Sequence, residues 1–216
     1  MVKSKKSQAH REQPEDRPSH EVPDEDLMRR FRQGDAAAME EIVSRHGRPL
    51  FGFLVRSTGS RDKAEDAYQE VFLKVVRAAP GYQPKARFTA WLYTIARNVV
   101  IDMARRDRFR ETESLDAPAY DDGDASRVSQ VAGHGPDPEE ELRGREMQTA
   151  LEAAIAVLPE EQREVFLLRE RTGLSFKEIA DMTRAPINTV KTRMHYALNH
   201  LRKALLAQGL MEEGNR

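Results

Sequence analysis

Polar and basic side chains collect on one face of an amphipathic segment near the C-terminus, residues 186–205. At helical spacing this face carries hydrogen-bonding groups with cations at its flanks, namely Thr189, Thr192, Tyr196 and Asn199 beside Lys191 and Arg193. Such side chains at the start of the second helix of a linked pair are what recognition of the DNA major groove requires. An ordinary helical hairpin with a solvated polar face is the alternative that this segment alone leaves open.

The elements that position this face are predicted from residues 158–205, which have the pattern of a helix, a short helix, a tight turn and a long helix. Ser175 and Glu178 have the spacing of a capping box at the start of the short helix. Pro186 suits the first position of the long helix, because the proline ring fixes φ. Apolar residues then recur every three or four positions and predict one buried stripe: Val190, Met194, Ala197, Leu198, Leu201 and Leu205.

A second segment, residues 82–110, combines aromatic side chains with seven basic and only two acidic ones. Its aromatic residues include Tyr82, Phe88, Trp91 and Tyr93. Aromatic faces stack on unpaired bases and cations neutralise phosphates, so the combination suits single-stranded or melted nucleic acid. Trp91 itself is interpreted as a core residue because it lies one turn from Ile95 on the apolar side. For the basic cluster, the steep charge imbalance favours a functional role over a solvated helix end.

The composition excludes several classes of function. The 216-residue chain has no cysteine, which excludes disulfides, thiolate metal sites and thiol catalysis. Phosphate-binding glycine loops and metal-ligand spacings are absent from the sequence, so we expect no catalytic residue, metal or cofactor, and no enzyme. No apolar run is long enough to cross a membrane, and residues 1–23 lack the apolar core of a secretory signal. We therefore expect a cytoplasmic protein without membrane insertion.

The net charge of −1 hides a strong segregation of charge along the chain. Residues 1–23 are polar and aperiodic and are expected to form a disordered tail. Residues 111–142 hold ten acidic side chains and one basic one, Arg127, with several glycines and prolines, which predicts a flexible acidic linker. No strand-like alternation stands out, so the predicted fold is all-α, with two small helical domains. These domains and a short C-terminal tail occupy residues 24–110, 143–208 and 209–216.

Three or four helices are predicted in the N-terminal domain. Asp24 and Asp35 are candidate N-caps, and Gly34 marks the end of the first helix. A third helix is predicted over about 62–79 and a fourth over about 89–106. The third has the apolar positions Ala64, Ala67, Tyr68, Val71, Phe72, Val75 and Val76, with Glu65, Asp66, Gln69 and Glu70 opposite. The fourth has the apolar positions Leu92, Ile95, Ala96, Val99 and Met103, with Arg97, Asn98, Ile101 and Arg105 opposite.

Three stretches in this order resemble bacterial sigma factors of the extracytoplasmic-function (ECF, group four) type of the sigma-70 family. DKAEDAYQEVFLKVVRA, residues 62–78, is similar to the family's polymerase-binding helix. FTAWLYTIARNVVIDMARR, residues 88–106, is similar to its promoter-melting helix, and residues 158–205 resemble its fourth conserved region. The resemblance covers roughly residues 24–110 and 143–206.

This resemblance implies a transcription initiation factor whose first domain is sigma-2-like and recognises and melts the minus-ten element. The second, sigma-4-like domain would recognise the minus-thirty-five element. The implied partners are the clamp and flap regions of core RNA polymerase, promoter DNA and an anti-sigma factor. The positions assigned to the clamp are Asp66, Gln69, Glu70 and Lys74, for which a solvated acidic face is the alternative. Those assigned to minus-ten DNA are Arg97, Asn98, Asp102 and Arg105, with Lys85 and Arg87 near a flipped base. For the upstream element they are Asn188, Thr189, Thr192, Arg193 and Tyr196 on bases, with Arg184 and Lys191 on phosphates.

Two departures from the family pattern lie in the helix-turn-helix. Arg184 stands in the turn where members often have glycine, so either the turn is built differently or Arg184 adopts a strained conformation and gains a phosphate contact. His195 and Tyr196 stand where the family commonly has His followed by Arg, which affects base preference and not the fold. His195 is interpreted as a helix-surface residue near DNA and not as a metal ligand or pH sensor.

Two alternatives stay open at this stage. The acidic linker either imitates nucleic-acid charge inside polymerase or is a solubilising tether. A conventional helix-turn-helix regulator that binds duplex DNA as a dimer would account for residues 158–205. It would not account for the aromatic and basic segment of the N-terminal domain.

Overall fold

The structure, a computed structural model, describes residues 22–113 and 138–211, with side chains over 22–110 and 142–211. Within these ranges the chain forms eight α-helices and no strand, which confirms the all-α prediction. In chain order they are α1 (Asp24–Arg32), α2 (Ala36–Thr58), α3 (Arg61–Ala78), α4 (Phe88–Glu113), α5 (Pro138–Ala156), α6 (Glu160–Thr172), α7 (Phe176–Thr183) and α8 (Ile187–Ala207), with a 3₁₀ turn at Ala79–Gly81.

Short-range signals place the junctions between the first three helices. Gly34 follows α1 with a φ of +98°, a conformation that glycine adopts without strain. The Asp35 carboxylate accepts a hydrogen bond from Ala37 N at 3.1 Å and caps α2. Ser60 caps α3 in the same way. The predicted end of the first helix and the predicted cap of the second are therefore confirmed.

The prediction that Asp24 caps α1 is wrong. Pro23 occupies the N-cap, and Asp24 is the first helical residue. Its carboxylate is used in a longer-range contact instead, 2.8 Å from His46 Nε2 and 3.3 Å from Arg45 Nη1 of α2. Burial alone would raise the pKa of Asp24, but the hydrogen bonds and charges of His46 and Arg45 hold that pKa below its usual value. Asp24 therefore ties α1 to α2.

The N-terminal domain packs α1–α4 around a continuous apolar core. Fully buried side chains come from all four helices and include Met28, Ile42, Leu54, Val71 and Leu92. The predicted core position of Val76 is wrong, because this side chain is 45% exposed. Helical spacing identifies an apolar face, but it does not distinguish a face that is buried in the core from one that is exposed and available to a binding partner.

The predicted acidic linker is shorter in the structure than in the sequence interpretation. Helix α4 continues to Glu113 and α5 begins at Pro138, so helices enter this segment from both sides. Residues 114–137, which hold the rest of the predicted linker, lie outside the described residues, as do 1–21 and 212–216 of the predicted tails.

In the C-terminal domain, α5, α6 and α7 all pack on α8. The Ser175–Glu178 capping box is confirmed: Ser175 Oγ accepts from Glu178 N at 3.2 Å, and Glu178 Oε2 accepts from Ser175 N at 2.7 Å. Pro186 is the N-cap of α8 and not its first helical residue, so the helix begins one residue later than predicted. The apolar stripe of α8 is buried except for Leu198, whose predicted burial is wrong because 47% of it is exposed.

The two domains lie directly against each other, with α6 and α7 in contact with α2 and α4. Arg56 of α2 pairs with Glu152 of α5, with Arg56 Nε 2.8 Å from a carboxylate oxygen. Arg97 of α4 pairs with Glu164 of α6 at 2.7 Å, and both of these side chains are about one-fifth exposed. The domain contact thus takes in one of the cations that the sequence assigns to DNA.

Candidate nucleic-acid interfaces

The turn of the helix-turn-helix places the first turns of α8 at the surface. Arg184 follows α7 with φ 54° and ψ 36°, in the left-handed region. Of the two possibilities, a differently built turn or a strained Arg184, the structure shows the strained backbone conformation. Ala185 N donates to Ala180 O at 3.1 Å and closes the turn, and Pro186 leads directly into α8.

The residues that the sequence assigns to the upstream element share one surface. Asn188, Lys191, Thr192 and Tyr196 are exposed there, and Thr189 and Arg193 are half-buried. Most of these residues line an open groove of about 630 Å³ between the start of α6 and α8. The groove also holds Glu160 and Glu161, and Arg193 Nη2 lies 2.6 Å from Glu161. Arg193 is therefore held within the groove by an ion pair of its own domain.

His195 lies on the exposed surface of α8, as interpreted from the sequence. Its Nε2 lies 3.0 Å from Asn199 Nδ2, one helical turn on. Among the residues that the structure describes, no group of three or more histidine, aspartate and glutamate side chains is arranged to hold a metal ion.

In the N-terminal domain, a loop of five exposed residues, 83–87, precedes α4 and carries Lys85 and Arg87. Rings pack at both ends of this loop: the tilted rings of Tyr82 and Trp91 have centroids 4.7 Å apart, and the centroid of Phe88 lies 5.8 Å from that of Trp91. Trp91 is half-buried against the core, in agreement with its interpretation. The aromatic residues therefore form a base under the loop, and the loop presents its cations outward.

Burial changes the chemistry of one ring in this cluster. Tyr82 is almost fully buried, and burial together with the charges of Glu25 and Asp24 raises the pKa of its hydroxyl to about 12. The neutral phenol is thus the form that fits the cluster.

The residues of α4 assigned to minus-ten DNA have different surroundings. Asn98 and Arg105 are exposed, whereas Arg97 is held by Glu164 of α6. Asp102 lies 3.4 Å from Lys74 Nζ of α3, so the structure brings together one residue assigned to DNA and one assigned to polymerase.

The outer face of α3 is both charged and apolar. Asp66 and Gln69 are exposed, and Glu70 and Lys74 are half-buried next to them. Leu73 and Val76 add exposed apolar surface on the same helix, with exposed fractions of 50% and 45%. The sequence interpretation missed both residues as surface groups. The sequence did carry a signal that Leu73 is exposed, because Leu73 lies outside the apolar stripe of the helix. It carried no such signal for Val76, whose spacing fits the stripe.

Family models for two regions match the chain at these surfaces. A model described as sigma-70 region 2 matches residues 42–110, and one described as sigma-70 region 4 matches residues 148–201. The ECF RNA polymerase sigma-E factor of Haemophilus influenzae is 31% identical over 83% of this chain and 93% of its own length. The chain belongs to the ECF group of the sigma-70 family. Sigma factors direct core RNA polymerase to promoters, so it is a transcription initiation factor.

Further relatives of this sigma factor agree in length and fold. The ECF sigma factor SigW of Bacillus subtilis is 30% identical over 82% of this chain and 94% of its own length. The solved structure of RpoE from Bartonella quintana, in complex with the anti-sigma factor NepR, superposes with a TM-score of 0.61 at 24% identity. That comparison covers 77% of this chain and 96% of the other, and it shows the same fold.

The matched regions place the surfaces within the sigma factor. The region 2 match contains α3, the 83–87 loop and most of α4, and the region 4 match contains the helix-turn-helix. Helix α1 precedes the region 2 match altogether. None of the helices in the described part of the chain is long and apolar enough to span a membrane.

Proposed function

We propose that this sigma factor reads the minus-thirty-five element with the first turns of α8. Support comes from the exposed set of hydrogen-bonding and cationic side chains there, held at a fixed angle by the capping box of α7 and the tight turn. Asn188, Thr189, Thr192, Arg193 and Tyr196 contact base edges, and Arg184 and Lys191 contact phosphates. Side chains of these types suit the donor and acceptor pattern of the major groove.

The minus-ten element is read by the 83–87 loop and α4. Lys85 and Arg87 lie near a flipped base of the melted strand, and the exposed Asn98 and Arg105 contact the same DNA. Arg97 joins this surface once it exchanges its contact with Glu164 for one with DNA. Asp102 does so once Lys74 leaves it to bind polymerase. Cations beside an anchored loop suit the backbone of a single strand.

Core polymerase binds the outer face of α3 through its clamp, and the C-terminal domain through its flap. The observation that supports the first contact is the pair of exposed apolar residues, Leu73 and Val76, beside Asp66, Gln69, Glu70 and Lys74. An apolar centre with a charged rim is the common composition of a protein interface.

An anti-sigma factor controls the free protein. The solved complex of RpoE with NepR supports this, because RpoE has the same fold and is bound there to an anti-sigma factor. The protein acts in the cytoplasm, where polymerase and promoters are, and it contributes no catalytic residue of its own.

The acidic segment, residues 111–142, either imitates the charge of nucleic acid or serves as a tether. Replacing its acids with Ser and Gly at constant length distinguishes these two, since only the first requires the charge for initiation and promoter escape.

Run-off transcription from a genomic DNA library, with core polymerase and with or without this protein, tests the proposal. We expect new transcripts only when the protein is added, and shared paired elements upstream of their starts. Tight binding of the protein alone to duplex DNA, without directed initiation, would favour a conventional helix-turn-helix regulator instead. A pull-down from native cells tests the anti-sigma factor: recovery of polymerase without a dedicated inhibitor would count against it.

A further inference from the structure

The start of α4 lacks a local cap. The residues before Phe88 are Lys85, Ala86 and Arg87, none of which has a side chain that accepts a hydrogen bond from the backbone. Arg87 supplies only its carbonyl, which accepts from Trp91 N at 3.2 Å. The first N–H groups of a helix have no partner within the helix, so the N-terminus of α4 requires an acceptor from elsewhere.

Helix α1 supplies that acceptor. Glu25 Oε1 accepts a hydrogen bond from Phe88 N at 2.9 Å, across a separation of 63 positions in the chain. A carboxylate at this place also faces the positive end of the α4 dipole. Glu25 thus fixes the residue at which the 83–87 loop ends.

The same helix also holds the other end of the loop. Arg32 Nη1 donates to Tyr82 O at 3.1 Å, directly before the first loop residue. Tyr82 and Phe88 are buried, while all five residues between them are exposed. The loop that carries Lys85 and Arg87 is therefore fixed at both ends by side chains of one helix. Its own side chains are exposed, and Arg87 Nη1 lies 3.5 Å from Gly173 O of the C-terminal domain.

Helix α1 is itself held in place on the domain. Leu27 and Met28 are buried in the core, and Asp24 contacts His46, whose ring lies 5.1 Å from the Phe88 ring. A rigid support that fixes two ends of a short binding loop is what precise base recognition requires.

We infer that Glu25 and Arg32 are positioning residues for minus-ten recognition: they set the conformation in which the 83–87 loop receives an unpaired base. This inference rests on the proposed function of that loop. It assigns a role to α1, which lies before the matched region 2 and carries none of the residues assigned to DNA or polymerase.

The chain offers matched controls on the same helix. Asp26 and Arg29 pair with each other at 2.7 Å on the exposed side of α1, and the structure shows no bond from either to the loop. Replacing Glu25 or Arg32 with Ala removes a loop anchor, whereas Asp26→Ala or Arg29→Ala removes the same charge one or three positions away on the same helix. Glu25→Gln keeps an oxygen that can accept from Phe88 N–H and should restore most of the lost function.

The test uses the full chain, core polymerase and a promoter found by run-off transcription. The affinity of holoenzyme is measured for single strands that carry each of the four bases in turn at the minus-ten positions. Promoter opening is measured by permanganate reactivity. Glu25→Ala and Arg32→Ala are each expected to lower discrimination among the bases about five- to thirtyfold, the ratio that corresponds to about 1–2 kcal/mol. Assembly with core polymerase and binding to the upstream duplex are expected to stay unchanged.

Equal base discrimination in Glu25→Ala and Asp26→Ala would overturn the inference while wild-type initiation still upholds the proposed function. If wild-type protein directs no initiation, the proposed function itself fails. If Glu25→Ala does not fold, as its melting temperature will show, Arg32→Ala against Arg29→Ala decides. A loss that extends equally to polymerase assembly would assign α1 a purely structural role and would also overturn the inference.

Discussion

The two surfaces that are proposed to read DNA differ in what lies against them. On α8, the residues assigned to the upstream element are exposed or half-buried within their own domain, and the ion pair of Arg193 with Glu161 stays inside the C-terminal domain. On the minus-ten surface, Arg97 is paired with Glu164 of the other domain, and Arg87 Nη1 lies 3.5 Å from Gly173 O. Access to the second surface therefore depends on how the two domains sit, whereas access to the first does not.

This difference follows from chain connectivity and charge. Arg97 of α4 meets Glu164 at the surface of α6, so an acid of one domain pairs with a cation that the other domain is proposed to offer to DNA. About one-fifth of each side chain stays exposed, so a phosphate can reach Arg97 and take the place of Glu164.

The largest expected effect comes from the exposed surface. The double substitution Asn188→Ala and Thr192→Ala should lower initiation at a promoter with both elements about 30-fold or more, because it removes two base contacts that each contribute about 1–3 kcal/mol of recognition. Run-off rates measure this. Lys203→Ala, at the far end of the same helix, is the control and should leave the rate unchanged. A loss as large on a promoter without the upstream element would contradict the assignment to α8.

The ion pair between the domains separates DNA contact from domain packing. Arg97→Ala should lower minus-ten-dependent initiation by about tenfold, at the lower end of the range for a lost DNA contact. Glu164→Ala should not lower initiation, because Glu164 engages Arg97 only while the domains are packed. Initial run-off rates compare the two variants. Equal losses in both would show that the pair serves the structure and not access to DNA.

A smaller effect is expected at the turn before α8. Arg184→Gly should raise the free energy of unfolding by up to about 1 kcal/mol, because glycine adopts a positive φ without strain but loses more chain entropy on folding. The same change should weaken binding to the upstream element and reduce the salt dependence by about one phosphate contact. Urea unfolding and salt titrations measure the two quantities. Arg184→Lys keeps the charge and the strain, so an equal loss of binding there would point away from a simple phosphate contact.

The last effect appears only at alkaline pH and concerns the stability of the N-terminal domain. Burial raises the pKa of Tyr93 from 10.0 to about 12, and burial with nearby acids does the same for Tyr82. Because the unfolded chain ionises first, their stabilisation is complete below pH 10 and is lost as the pH rises towards 12. The slope should approach about 1.4 kcal/mol per pH unit for each ring.

Urea unfolding at pH 9 to 12 measures this loss, and Tyr93→Phe should remove part of it. An unchanged slope in that variant would mean that Tyr93 does not govern the alkaline loss. Tyr82→Phe keeps the ring cluster and removes only the ionisable group, so it provides the corresponding check for the second ring.

Local signals made much of the fold predictable. The capping box of Ser175 and Glu178, the cap at Asp35 and the apolar stripes of α3, α4 and α8 depend on residues a few positions apart, and most of them were correct. Helix α5 was missed because it begins inside an acidic, proline-containing stretch that has the composition of a linker. Val76 and Leu198 were misplaced because periodicity does not state whether a partner covers a face.

The candidate site was less predictable than the fold. The types of the DNA-facing residues could be inferred from sequence, but their surroundings depend on contacts between distant positions. The bond from Phe88 N to Glu25 and the pair of Arg97 with Glu164 join positions 63 and 67 residues apart. No periodicity or capping rule links such positions, so only the folded chain brings them together.

The most direct test of two separate reading surfaces is site-specific photocrosslinking in a complex of holoenzyme and promoter. A crosslinker in place of Lys85 and another in place of Thr189 would be mapped to single nucleotides on the same DNA. We expect position 85 to react with the unpaired strand near minus ten and position 189 with duplex near minus thirty-five, only when core polymerase is present. Crosslinks of both positions to one DNA segment, or equal crosslinks without polymerase, would contradict the account.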